Sequence, residues 1–268
     1  MKRSNLWRLL VGLLVAGCSS EPKVGELQDG SMVVPTLQTI RPAGIVLELK
    51  GRPVDLEPLG DSLVAVLDNR GLLLVDTASW KVLAEAPLRG GTSQIGLAWD
   101  PSRKRLFAST AGSEIAVASI DGTTIRLEDP IRLPAAPVGG AAYPTGLAWN
   151  GSTGTLLACL SRSNQLAEVD PTTKELRRTV EVGVAPFDVC VLPGGSEALV
   201  ACWSDWPADG SKRADSSGTS VEVDERGIGT GGVLCKVDLR EFRLTGKLPL
   251  PRQPSEIALS CRPERARS

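Results

Sequence analysis

From Pro53 to Leu250 the chain is written in short runs of apolar or alternating residues, with Gly, Asp, Asn, Ser and Pro standing between the runs. Alternation at a period of two places successive side chains on opposite faces of an extended segment, so each run predicts a strand and each polar break a turn. The segment GLAWDPSRKRLFAS at 96–109 returns as GLAWNGSTGTLLAC at 146–159, with the same apolar four, polar turn and second apolar run. Extending the comparison gives units at 53–88, 94–133 and 144–182. A fourth begins at 186 and resumes at 231–250 after an insertion, and a partial fifth begins with QPSEIALS at 253–260. Each unit divides into four runs, which in the third are GLAW, TLLACL, QLAEVD and ELRRTVEV.

The aspartates that end the third run, Asp76, Asp121, Asp170 and Asp238, lie 45, 49 and 68 residues apart. With the insertion subtracted from the last interval, the period falls at roughly forty-five residues, the length of a four-stranded propeller blade. A helical alternative needs 3.6-residue periodicity over ten or more positions, and no such stretch follows the N-terminal segment. The expected fold is all-β: a β-propeller of four-stranded blades, with about four complete repeats and a partial one over 40–268. After EIALS the chain continues only as CRPERARS. Two readings of that ending stay open. IVLEL at 45–49 could complete a small fifth blade with EIAL, or the repeats are the front part of a larger, shortened ring, which is the reading favoured here.

The inner-run GLAW, the PDG-like turn, the LxVA-like second run and the closing VD-T pair resemble the YVTN/YncE-like family of bacterial β-propellers, within the WD40/YVTN repeat-like superfamily. More narrowly, RPAG at 41–44, YPTGLAW at 143–149, VGVAPFDVCVLPGG at 182–195 and VDERGIGTGGVLCKVDL at 223–239 resemble the propeller that precedes an alkaline-phosphatase-type phosphoesterase domain in some exported proteins. The resemblance covers about 40–260 and implies a ring of more blades, so that the repeats would form an incomplete seven-bladed propeller. The turns DPSRK, NGSTG and LPGGS depart from the SPDG spelling, and the phosphoesterase half has no counterpart in this sequence, so none of its metal ligands carries over.

The N-terminus changes the picture of where the protein works. Lys2, Arg3 and Arg8 precede the apolar Leu9–Ala16, a stretch too short to span a bilayer as a helix and arranged as an export signal over 1–17. It ends in VAGC, which resembles the lipobox of bacterial lipoproteins. That resemblance implies cleavage before Cys18, lipidation of its sulfur and a membrane anchor facing an extracytoplasmic compartment. Ser19 in the next position is similar to outer-membrane sorting signals, which would face the protein into the periplasm. Residues 18–39 read as a flexible tether.

Composition then excludes several classes. Thirty basic and thirty-one acidic residues are interspersed, giving a formal charge of −1, and only 4% of residues are aromatic. Neither a basic field nor a base-stacking platform for nucleic acid is present. The sequence contains no histidine, which removes Ser-His-Asp and Cys-His catalysis and the commonest metal ligand. Six cysteines occur without a CxxC spacing. Of these, Cys159, Cys190, Cys202 and Cys235 fall in apolar runs and read as small core residues packed between blades. The recurrent aspartates read as turn residues that bind nearby backbone amides. Trp99 and Trp149, each following GLA, read as inter-blade packing.

The insertion at 204–232 is the segment with the most functional character, because long loops in compact folds carry binding. Its candidate ligand-binding residues are Asp205, Trp206, Asp209, Asp224, Glu225 and Arg226. PADGSKRADSSG lacks the ligand order of a calcium loop, and GIGTGG lacks a strand–turn–helix setting, so no metal, cofactor or catalytic residue is assigned. The expected function is that of an exported, lipid-anchored, non-catalytic binding or scaffold module whose partner is an envelope protein or glycan. The alternatives are a truncated accessory propeller of a phosphoesterase, or a lactonase-like propeller enzyme. Quinoprotein chemistry is a weaker third, on fold analogy alone.

Overall fold

The computed structural model describes residues 23–207, 209–216 and 218–260, and the chain divides into two units, 1–48 and 49–268. The segment expected to be an export signal, the expected lipidation residue Cys18, and Cys261 lie outside the described residues. In the first unit, β1 (Gly25–Glu26), β2 (Met32–Val33) and β3 (Thr39–Ile40) form a three-stranded antiparallel sheet. Its first turn follows from local chemistry. Asp29 accepts the amide of Ser31 at 3.0 Å, and Gly30 supplies φ +77° while donating to Leu27 O at 3.0 Å. The segment read as a tether therefore carries regular structure from Gly25 onward.

The second unit is built as a β-propeller, with four blades among its described residues, each a meander of antiparallel strands. The first blade comprises β4 (Pro53–Pro58), β5 (Leu63–Asp68), β6 (Gly71–Asp76) and β7 (Lys81–Pro87). The second comprises β8 (Thr92–Asp100), β9 (Arg105–Thr110), β10 (Glu114–Asp121) and an outer strand in two pieces, β11 (Thr124–Leu127) and β12 (Ile131–Arg132). Both pieces pair with β10, and Pro130, which has no amide to give to a ladder, lies between them. The third comprises β13 (Pro144–Asn150), β14 (Thr155–Leu160), β15 (Gln165–Asp170) and β16 (Glu175–Glu181). In the fourth, β17 (Val184–Val191) and β18 (Glu197–Ser204) precede a separate hairpin of β19 (Arg213–Ser216) and β20 (Thr219–Glu222), after which β21 (Gly232–Asp238) and β22 (Arg243–Leu250) complete the sheet. Neither 45–49 nor 253–260 forms a strand, so the small fifth blade is not built from them. Among the described residues no helix is long and apolar enough to cross a membrane.

Position within the blade decides composition. Second strands are covered on both faces by neighbouring sheets, and all six residues of TLLACL in β14 are buried. Fourth strands form the outer rim: ELRRTVE in β16 alternates exposed and half-buried along its length. The cores consequently lie between blades, and adjacent residues of one strand feed different cores. Leu106 faces blade one with Leu67, Leu74 and Leu97, whereas Phe107 joins Leu147, Leu156 and Leu160 between blades two and three. Leu157 then packs with Leu166, Val200 and Val237 between blades three and four.

The two tryptophans after GLA behave as packing residues. Trp99 lies against the first of these cores and Trp149 against the second, its ring stacked on Phe107 at 6.1 Å between centroids. Three of the four recurrent aspartates close turns through their carboxylates. Asp170 accepts the amides of Thr172 and Thr173, Asp238 those of Arg240 and Glu241, and Asp76 those of Ala78 and Ser79. The residue before the next strand then takes a left-handed backbone, at Trp80, Lys174 and Phe242.

Candidate functional site

The excursion at 204–232 leaves the fourth blade after β18 and returns at β21, folding back as an ordered hairpin. Arg213 is opposite Glu222 and Ser216 opposite Thr219 in its register, and the amides of Val223 and Thr230 donate to Lys212 O and Glu222 O. Asn164, buried in the third blade, ties it down: Nδ2 donates to Thr219 Oγ1 at 3.0 Å, while Oδ1 accepts the amide of Ala185. At the hairpin tip Gly218 has φ +85°, and a Cβ there would stand 2.9 Å from Val138, so only glycine permits both the turn and the close approach.

The six candidate residues divide into three pairs. Asp205 and Trp206 open the excursion. The Trp206 indole Nε1 donates to Val182 O at 3.2 Å while the side chain remains exposed, and Asp205 Oδ1 accepts both the Trp206 amide at 2.9 Å and Lys247 Nζ at 2.5 Å. Asp224 and Arg226 close its far turn. The Asp224 carboxylate accepts the amides of Ile228 and Arg226 and pairs with the Arg226 guanidinium at 3.0 Å, bonds that hold its carboxyl below the usual carboxylate range. Asp209 and Glu225 stand apart from the other four. Asp209 is fully solvated, 3.8 Å from Arg213, and Glu225 contributes its backbone oxygen to Lys212.

Two surface clefts border this excursion and share Thr230. One, of about 260 Å³, runs between Trp206 and the end of β22, with Asp205, Glu222 and the backbone of Gly231 and Gly232 in its lining. The other, of about 360 Å³, is lined by Asp224, Arg226, Thr230, Arg252 and Gln253. The sequence read only the leg that leaves the blade and the far turn. Glu222 and Thr230 lie inside the insertion but outside the six candidates, and the 249–253 segment was missed, because its contribution arises only where β22 runs beside the returning leg.

A second set of side chains is drawn together at the first strands of the blades. Aligned on their third position, PVDLEP, QIGLAW, PTGLAW, PFDVCV and PSEIAL carry Asp55, Gly96, Gly146, Asp188 and Glu256. Asp55 Oδ2 accepts the amides of Gly96 and Leu97, both at 2.8 Å, and Asp188 Oδ2 accepts the amide of Ile257 at 2.8 Å. Burial, with the nearby charges of Asp55 and Glu256, pushes the Asp188 carboxyl up to about 6. Burial, with Asp55, pushes Glu57 up to about 7. Four carboxylates from the first, fourth and partial fifth repeats thus come within electrostatic reach, a grouping the inner-strand sequences did not suggest. Among the described residues no cluster of carboxylates and thiols is arranged to hold a metal ion. Cys159, Cys190, Cys202 and Cys235 are free thiols. Cys159, Cys202 and Cys235 lie in the core between blades three and four, and burial pushes the thiols of Cys159 and Cys202 well up.

No family model and no curated protein matches the sequence. Among solved structures, hydrazine synthase of Kuenenia stuttgartiensis is similar over 79% of this chain and 53% of its own, at 15% identity and a TM-score of 0.57. The nidogen/laminin complex is similar over 69% of this chain and 59% of its own, at 15% identity and a TM-score of 0.45. The chain therefore spans about half the length of the first of these. At such identity the likeness to hydrazine synthase concerns the fold alone, and the fold is that of a β-propeller.

Proposed function

We propose that the protein is an exported, lipid-anchored β-propeller that acts as a binding or scaffold module in the cell envelope, without chemistry of its own, and that it is akin to the YVTN/YncE-like propellers. The observation that carries the binding role is the excursion from blade four. It is a long insertion held in one conformation by Asn164 and by the Trp206 indole bond, and it is bordered by two clefts. Export and anchoring to the periplasmic face of the outer membrane rest on the basic residues, the apolar stretch and VAGC ending at Cys18. The lactonase-like alternative would need its carboxylates free for a metal, whereas Asp55 and Asp188 spend an oxygen each on amides of the next repeat.

The test is to express the full chain in a Gram-negative host beside Cys18→Ser, and to follow both by membrane fractionation and intact mass. The expected result is a membrane-bound, lipid-modified wild type and a variant without lipid mass that leaves the membrane fraction. A wild type that is unmodified and cytoplasmic overturns the reading.

A further inference from the structure

We propose that the cleft between Trp206 and the end of β22 binds a saccharide, with the indole as the platform for a pyranose ring. This deepens the binding-module reading and rests on it.

Trp206 combines two properties that a sugar platform requires. Its indole Nε1 is committed to Val182 O at 3.2 Å, which fixes the ring plane, yet the side chain is 48% exposed. A ring held in this way loses little rotamer entropy on contact and offers an apolar face to the C–H face of a sugar. Hydrogen-bond acceptors stand beside it. Asp205 and Glu222 line the same cleft, and each is already oriented, Asp205 Oδ1 by Lys247 and the Trp206 amide, Glu222 Oε1 by the Thr230 hydroxyl at 3.2 Å. Among the described residues their second oxygens, Oδ2 and Oε2, have no hydrogen-bond partner, so both can accept sugar hydroxyls. Gly231 and Gly232 line the cleft with backbone alone. A Cβ on Gly232 would meet Pro254 at 2.3 Å and Arg252 O at 2.6 Å, so that wall stays free of side chains.

Charge argues for a neutral polyhydroxy ligand over a cationic one, since two of the three carboxylates that line the clefts, all but Glu222, already hold a cation there. Asp205 is compensated by Lys247 in the same place, and Asp224 next door by Arg226. Thr230 lines both clefts, and Arg252 and Gln253 in the second offer donors to a further ring of a chain seated in the first. An open cleft of this size predicts weak binding per site, with Kd on the order of 0.1–1 mM.

The experiment titrates the full-length protein, in a detergent without a sugar headgroup, with chitotriose, cellotriose, maltotriose and mannotriose by calorimetry and saturation-transfer NMR. Saturable binding of at least one trisaccharide is expected. The affinity should fall at least tenfold in Trp206→Ala, fall less in Trp206→Phe, which keeps an aromatic face but loses the bond to Val182 O, and be unchanged in Leu83→Ala on the first blade. Circular dichroism establishes that each variant is folded. If no trisaccharide binds, or if Trp206→Ala binds as well as Leu83→Ala, the proposal is overturned. A lipid-modified, membrane-bound wild type in the Cys18 experiment combined with failure here removes the saccharide and leaves the envelope module standing. Binding of an unanchored protein does the reverse.

Discussion

The Asp188 carboxylate accepts the amide of Ile257 at 2.8 Å, the bond that Asp55 takes from Leu97 at the same distance between the first two blades. The 254–260 segment, which forms no strand, is thus seated against blade four in the way a following first strand would be. A half-buried carboxylate–amide bond of this kind is stronger than one between neutral groups. Asp188→Ala should release the segment: faster hydrogen exchange at the Ile257 amide and faster proteolysis after 251 are expected, with the core amides of β14 unchanged. Equal protection in both proteins would show that the segment is held by other contacts.

Stability should rise, not fall, on mild acidification. Asp188 is pushed up to about 6 and Glu57 to about 7, against ordinary values of 3.8 and 4.5. Between those limits the folded state binds more protons than the unfolded one, so stability decreases as pH increases through the window. Below it the trend reverses, because Asp76, Asp170 and Asp238, held low by their turn hydrogen bonds, contribute stability that is lost as pH falls through their folded values. Urea midpoints should therefore be highest near pH 4–5 and decline towards pH 8. Asp188→Asn should flatten the decline by roughly 1–3 kcal/mol. A midpoint that climbs steadily from pH 5 to pH 8 would contradict this.

Arg178 clamps blade three to blade four. Its Nε pairs with the buried Glu168 at 2.7 Å, its two terminal nitrogens donate to Leu239 O and Arg240 O at 2.9 Å, and it lies 4.6 Å over the Phe242 ring. Arg178→Ala leaves Glu168 buried without its cation and should cost about 2–4 kcal/mol. Arg178→Lys cannot reproduce the planar fork and should recover less than half. Chemical denaturation of the two variants measures both effects.

The glycine of GLAW is a spacer. A Cβ on Gly146 would stand 2.5 Å from the Asp188 Cα and 2.9 Å from Phe187 O, both backbone atoms of the next blade. Gly146→Ala should therefore destabilise by about 1–3 kcal/mol through overpacking, whereas Gly112→Ala, whose Cβ would meet only Thr110 Oγ1 at 3.8 Å, should cost less. The difference in thermal midpoint between the two variants tests the assignment.

Cys159, Cys202 and Cys235 are buried thiols, whereas Cys190 is half-buried. Of these four, a maleimide reagent at neutral pH should label Cys190 first and the other three only as the propeller unfolds, because close packing keeps the reagent from the buried sulfurs; burial and Asp188 push the Cys190 thiol up as well, so its labelling should be slow. Peptide mapping of the labelled protein reads the order.

Strand runs, turn positions and repeat length were legible in the chain because they depend on neighbours in sequence: the period-two alternation, the Asx bonds of Asp76, Asp170 and Asp238, and the glycine-rich breaks. The excursion was legible as an interruption of the period, and Trp206 and Asp205 as its chemistry. Its hairpin was not, since KRADSSGTSVEV carries little apolar alternation and is held by Asn164 from another blade. The carboxylate grouping was hidden for the same reason. Asp55, Asp188 and Glu256 are separated by 133 and 68 positions.

What the sequence by itself determined is therefore the blade: four strands, their order, their buried faces and the turns between them, all set by contacts a few residues apart. The tertiary structure alone decided what adjoins what between blades. Gly96 and Gly146 became close-approach points, the 249–253 segment became one wall of the cleft beside Trp206, and Asp188 met Ile257. Those relations depend on how twisted sheets stack face to face, and the packing that sets the stacking is spread over residues from every repeat.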